Sequence, residues 1–228
     1  MRPPLRARLG RWPWLAAVFF WLFPKRLSGR GRRRGVRLLH DLTDALDGAG
    51  VPFQIDYGTL LGCLREGDFI PWDEDMDLAV REEDLPALRR AYDGARRRGL
   101  RVLEYVLPPS DYGDSGWRAG DLWMARFLRP PSLLFPRELF ADVQVRRRNG
   151  DRDWWVILER GVIYLCAADA AWLGDGRRVD FLGRTVTLPA AAETYLCHLY
   201  GDWRQPVSDY TLDRDGAIVA HGRVEDGE

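Results

Sequence analysis

The sequence predicts an α+β domain built on a mixed β-sheet flanked by helices. Three observations predict it. Helix-period and strand-period segments follow one another as helix, strand, helix, strand, helix, then a run of strands, then a helix. One of those strands, LFADVQVR at residues 139–146, alternates cleanly between apolar and polar side chains. The chain has 228 residues, enough for one sizeable core with a small appended element.

Composition narrows the class. Hydrophobic residues make up 46% and charged residues 30%, as in a folded soluble protein. The formal net charge of zero hides an asymmetry. Met1 to Arg37 holds eleven Lys or Arg and no acid, which leaves twenty-three basic against thirty-four acidic residues in the remainder. A basic arm, residues 1–35, therefore precedes an acidic body, residues 36–206. An acidic body excludes nucleic acid as the expected partner. Lys25 is the only lysine, so phosphate recognition falls to arginine or to backbone N–H groups. Cys63, Cys166 and Cys197 form no CxxC pair and no disulfide framework, which points to buried thiols and a reducing, cytoplasmic compartment.

In chain order, the arm carries WPWLAAVFFWLF at residues 12–23, flanked by arginines. It is about half the length that spans a bilayer. One reading anchors it at an anionic membrane surface, which places the protein peripherally on the inner face of the membrane. The other packs it as an apolar helix on the body. Residues 36–46 show a helical stripe of Val36, Leu39, Leu42 and Leu46, ended by Gly48 and Gly50. A short strand at 51–56 leads through Gly58-Thr59 into a helix at 60–65. Such a junction aims backbone N–H groups at phosphate. Residues 76–80 are a strand, and 82–84 open a helix that Gly99 stops. Strands follow at 101–107 and 121–128. Between them, residues 108–120 are rich in Pro, Gly, Asp and Ser, which predicts a loop: a lid or acceptor-binding loop, or equally slack between strands. Asn149-Gly150 predicts a hairpin into 154–158, and a second hairpin turns near Gly183-Arg184. Pro189 starts a helix through Tyr200, and residues 207–228 read as a loosely held polar tail.

The chemistry concentrates in DYGTLLGCLREGDFIPWDEDMDLAV, residues 56–80. Asp75 and Asp77 flank Met76, so in an extended chain both carboxylates face one side. Two like charges on one face repel unless a cation lies between them. Hard oxygen ligands at this spacing suit Mg²⁺ or Mn²⁺. An acidic run of this kind is more often a solvated loop, and what weighs against that is the strand pattern, the Gly-Thr pair upstream and a buried-strand acid, Asp142, downstream. Arg65 and Arg126 are candidate phosphate forks. Asp202, Tyr195 and Tyr200 read as structural, and Trp72 as packed or stacked on a base.

Residues 57–80 resemble the signature of the LicD and fukutin-related family. The resemblance rests on Gly58, Thr59, Leu60, Leu61 and Gly62, then Arg65, Gly67, Phe69, Ile70, Pro71, Trp72, Asp73, Glu74, Asp75 and Asp77. TYLCHLYGDWRQP, residues 194–206, is similar to that family's closing motif. Glu74 stands where Asp is common. The resemblance implies a nucleotidyltransferase fold of the polymerase-β type, with Asp75, Asp77 and Asp142 as catalytic metal ligands and Gly58, Thr59, Arg65 and Arg126 holding the donor. It implies divalent-metal-dependent transfer of a phospho-alcohol, such as phosphocholine or ribitol phosphate, from a CDP-alcohol to a glycan or glycolipid hydroxyl, as in lipopolysaccharide or teichoic acid modification. Two further readings stay open: transfer of NMP from an NTP to a protein or small molecule, and a non-catalytic scaffold in polysaccharide assembly.

Overall fold

The structure is a computed structural model that describes residues 27–131, 137–207 and 210–223. The apolar part of the basic arm, and with it the expected membrane contact, lies outside the described residues.

Helix α1 (Gly29–Gly48) starts earlier than its apolar stripe, because an arginine-rich run is itself a good helix former. Leu38, Leu39, Leu42 and Leu46 are fully buried along one side. Strand β1 (Gln54–Ile55) is shorter than expected, and α2 (Tyr57–Arg65) takes Gly58 and Thr59 into its first turn. Strand β2 (Met76–Arg81), a short 3₁₀ turn and α3 (Leu85–Arg97) follow. Then come β3 (Arg101–Val106), β4 (Leu122–Arg129) and the long β5 (Leu139–Asn149).

These strands form one mixed sheet. β1 is antiparallel to β2, β2 is parallel to β5, β4 is antiparallel to β5, and β3 is antiparallel to β4. β5 continues through the Asn149-Gly150 turn into β6 (Arg152–Glu159), which pairs with β7 (Val162–Asp169). A separate hairpin, β8 (Arg178–Phe181) with β9 (Arg184–Thr187), turns at Leu182 and Gly183, both with positive φ. Helix α4 (Ala192–Tyr200) ends at Gly201, and β10 (Ile218–Arg223) pairs with β7.

Helices cover both faces. Met76, Leu78 and Phe127 point to one, where α1 and α3 pack together and Tyr92 meets Phe127 edge-on at 5.8 Å. Asp77, Gln144 and Arg146 point to the other, which α2 and α4 cover. The α+β frame with its mixed, helix-flanked sheet is therefore as the sequence predicts.

Two strands were not legible. VIYLCAAD (β7) lacks alternation, since most of it is buried on both sides. β10 lay in the supposed loose tail, which the structure corrects. Asp215 and Ala217 are buried, and the strand is held by backbone pairing and one carboxylate, not by an apolar stripe. The expectation of buried thiols holds for Cys166, whereas Cys63 is half-buried and Cys197 exposed.

Candidate active site

A cleft of about 880 Å³ opens on the Asp77 face of the sheet, lined by Gly58, Arg65, Asp73, Asp75, Asp77, Arg126 and Asp142 among others. Residues far apart in the chain thus converge there.

The junction from β1 into α2 sets its floor. The Asp56 carboxylate accepts the Tyr57 N–H at 2.8 Å, and Tyr57 sits at φ 39°. A non-glycine residue there stores strain that surrounding contacts must hold. Asp56 N–H donates to Asp77 C=O at 2.9 Å, and Asp77 N–H donates to Thr59 Oγ1 at 2.9 Å. The start of α2 is therefore pinned to the D-x-D strand through both the N–H and the C=O of Asp77. Thr59 is buried and its hydroxyl faces this strand, while Gly58 faces the cleft. Gly58 is needed because a Cβ would collide with Oδ2 of Asp73. Gly62 likewise lets the loop carbonyl of Asp68 pass close to the helix.

Asp73, Asp75, Asp77 and Asp142 crowd this space. Burial pushes Asp75 up to about 7, and the charges of Asp73 and Asp142 add to that. Burial raises Asp77 well above the carboxylate range, with Asp75, Asp73 and Asp142 adding to it. Asp73 and Asp142 are raised by burial too. An all-oxygen set that strains to ionise fits a hard divalent cation, which would favour the charged forms. Among the described residues, no three carboxylates close around a common centre.

Asp142 instead gives both oxygens to Arg126. Its partners are the Nε and Nη2 groups at 2.6 Å each. The register explains this: Asp77 lies opposite Asp142 on β5, and Asp142 lies opposite Arg126 on β4. Arg65 lines the cleft from α2 but spends Nε on Glu66 and Nη1 on the Trp203 carbonyl, with Nη2 buried and unpartnered. Trp72 stands on the rim, 36% exposed. Asp202 and Tyr200 also line the cleft, although the sequence marked both as structural. Residues 108–120 do not line it. That segment is fixed elsewhere: Tyr112 and Trp117 are buried, and Asn149 holds the Asp114 carbonyl at 2.6 Å. The expectation of a lid or acceptor loop there is corrected, because its aromatics anchor it.

Sequence reasoning missed a buried polar network behind the carboxylates. Arg146 lies on β5 on the same face as Asp142, pairs with Asp56, and places its guanidinium 3.6 Å over the Trp155 ring. Tyr195 donates to Asp56 at 3.0 Å, and Tyr57 donates to Asp215 at 3.0 Å while accepting the Trp155 indole N–H at 2.8 Å. The one signal available was the alternation that set Asp142, Gln144 and Arg146 on a common face.

Comparison with known proteins supports the resemblance. Residues 50–107 match the family model described as LicD/FKTN/FKRP, nucleotidyltransferase domain. The human protein named Ribitol 5-phosphate transferase FKRP is 50% identical over 86 residues, 34% of this chain and 17% of that protein. The Rickettsia prowazekii (strain Madrid E) protein named Uncharacterized protein RP689 is 34% identical over 59 residues, 26% of this chain and 22% of that protein. The chain thus spans less than a quarter of the length of these relatives. Among solved structures, ANT(2")-Ia in complex with adenylyl-2"-tobramycin aligns with a TM-score of 0.41 and 18% identity, over 78% of this chain and 82% of that one.

Proposed function

We propose, from the LicD/FKTN/FKRP-type segment at residues 50–107, that this chain transfers a phospho-alcohol from a CDP-alcohol to a glycan or glycolipid hydroxyl. The observation that carries the proposal is the row Asp77–Asp142–Arg126 across three adjacent strands, facing the cleft beside Asp75 and the start of α2. Asp75 and Asp77, with Asp142, would hold Mg²⁺ or Mn²⁺. Such a cation neutralises the donor diphosphate and lowers the pKa of an acceptor hydroxyl.

The chain's own groups do the remaining work. Gly58, in the first turn of α2, lines the cleft beside Asp73, and in this reading its backbone N–H group meets the donor. Arg126 and Arg65 line the same space, Arg65 with its Nη2 left unpartnered. Tyr105, Trp123 and Trp72 supply ring faces on the cleft wall, which suits stacking of a base or sugar. In this reading Asp142, once free of Arg126, is either a further metal ligand or the base that takes the proton of an acceptor hydroxyl. The basic arm supports a peripheral position at an anionic inner membrane surface, close to a lipid-linked acceptor. Among the described residues, no helix is long and apolar enough to cross a membrane.

The test is incubation with a panel of CDP-alcohols and Mg²⁺, following CMP. Release of CMP from one donor names the alcohol. Pyrophosphate release from NTPs, with no CMP from any CDP-alcohol, overturns the proposal. Asp75→Asn and Asp142→Asn are expected to abolish turnover with the fold retained, and chelation of the metal is expected to do the same reversibly. Deleting residues 1–26 is expected to lower the membrane-bound fraction, and an unchanged fraction removes the membrane assignment.

A further inference from the structure

Asp142 and Arg126 are both assigned to ligands above, yet in the structure they occupy each other. Two N–H groups of the guanidinium meet both carboxylate oxygens at 2.6 Å. The pair is unequal. The Asp142 side chain is 9% exposed and the Arg126 side chain 27%, so the arginine is the member that opens to the cleft. Two rings lie against it, with the Phe140 and Tyr105 centroids 4.1 Å and 5.5 Å from the guanidinium carbon. Ring faces attract the cation without consuming its N–H groups. The rings therefore hold the cation near the cleft without taking up its N–H groups, of which those on Nε and Nη2 meet Asp142.

We propose that Arg126 exchanges partners: it holds Asp142 before a divalent cation arrives, and turns to the donor diphosphate afterwards. Cation binding therefore precedes and licenses donor binding. This rests on the CDP-alcohol reading above. The electrostatics run in one direction. A cation beside Asp142 draws its oxygens and repels the guanidinium a few ångströms away. A released guanidinium against the same rings is the planar, two-pronged donor that a phosphate takes best. While the pair stays closed, the site offers a diphosphate neither a cation nor that fork.

The experiment uses the full chain, with Mn²⁺ alone and CDP as probes, followed by calorimetry, and thermal melts to show that each variant is folded. Arg126→Gln removes the competitor for Asp142, so Mn²⁺ is expected to bind roughly tenfold tighter, while CDP in the presence of Mn²⁺ binds roughly tenfold weaker. Asp142→Asn unlocks Arg126, so CDP without any cation is expected to bind several-fold tighter than to wild type. Arg126→Lys, which cannot form the two-pronged pair, gives the same directions at smaller size if the glutamine variant does not fold. An Arg126→Gln variant that binds Mn²⁺ no more tightly than wild type overturns the exchange, as does an Asp142→Asn variant with no gain in cation-free CDP binding. In either case CDP binding to the Mn²⁺-loaded wild type leaves the donor reading standing. If no form binds CDP, the donor reading falls and takes the second half of the exchange with it.

Discussion

Asp77 is pressed by the charges of Asp75, Asp73, Asp142 and Asp56, and Asn at the same position keeps the shape without the charge. Asp77→Asn is therefore expected to lose at least ~100-fold in turnover. In chelator it is expected to gain about 1 kcal/mol of stability in urea unfolding, because like-charge crowding is relieved. A variant less stable than wild type would mean the carboxylates are not in conflict. Arg146 runs the opposite way. Its guanidinium is enclosed between Asp56, Tyr195 and the Trp155 ring. Arg146→Met leaves the Asp56 carboxylate buried without its cation, and a loss of about 3–5 kcal/mol is expected from the same unfolding measurement. Asp75, Asp77 and Asp142 could be named from the chain because acids in apolar strands are conspicuous. Asp56 and Arg146 were not, because an acid beside a turn and an arginine at the end of a strand look solvated until α4 closes over them.

At the scale of elements, the start of α2 depends on absent atoms. Gly58→Ala adds helix propensity but pushes the Asp73 carboxylate aside. It is expected to change stability by less than about 1 kcal/mol while Mn²⁺ affinity falls several-fold, read by calorimetry on folded protein. Equal losses in both would point to general damage to the helix. Elements with a period or a turn code were readable: the stripe of α1, the alternation of β5, the Asn149-Gly150 and Gly183 turns. β7 and β10 were not. The first is apolar on both faces and so has no period, and the second owes its place to main-chain pairing with β7. The segment 108–120 read as a lid, a binding loop or slack by composition, but composition does not reveal that Tyr112 and Trp117 turn inward.

For the molecule as a whole, the carboxylate crowd makes stability depend on pH in an unusual direction. These groups carry proton affinities raised in the folded state, with Asp75 pushed up to about 7 by burial and by its neighbours. A raised carboxylate costs nothing while both states are protonated, and its penalty grows as pH rises from the unfolded value, about 4, through the folded one. In chelator, the melting temperature is expected to fall between pH 5 and 8, and Mg²⁺ is expected to restore it most at the upper end. A flat profile would show that the four acids are not coupled to folding. The hydrogen bond from Tyr57 to Asp215 has another consequence, since it joins residues 158 positions apart. The residues matched by the family signature supply the strained turn, but its brace is made much later in synthesis. A ribosome-bound chain that has released only the signature carries the right letters in an unsupported conformation. Nascent protein should therefore stay inert toward divalent cations until the strand after Asp215 has emerged, and the signature excised alone should not behave as a portable module.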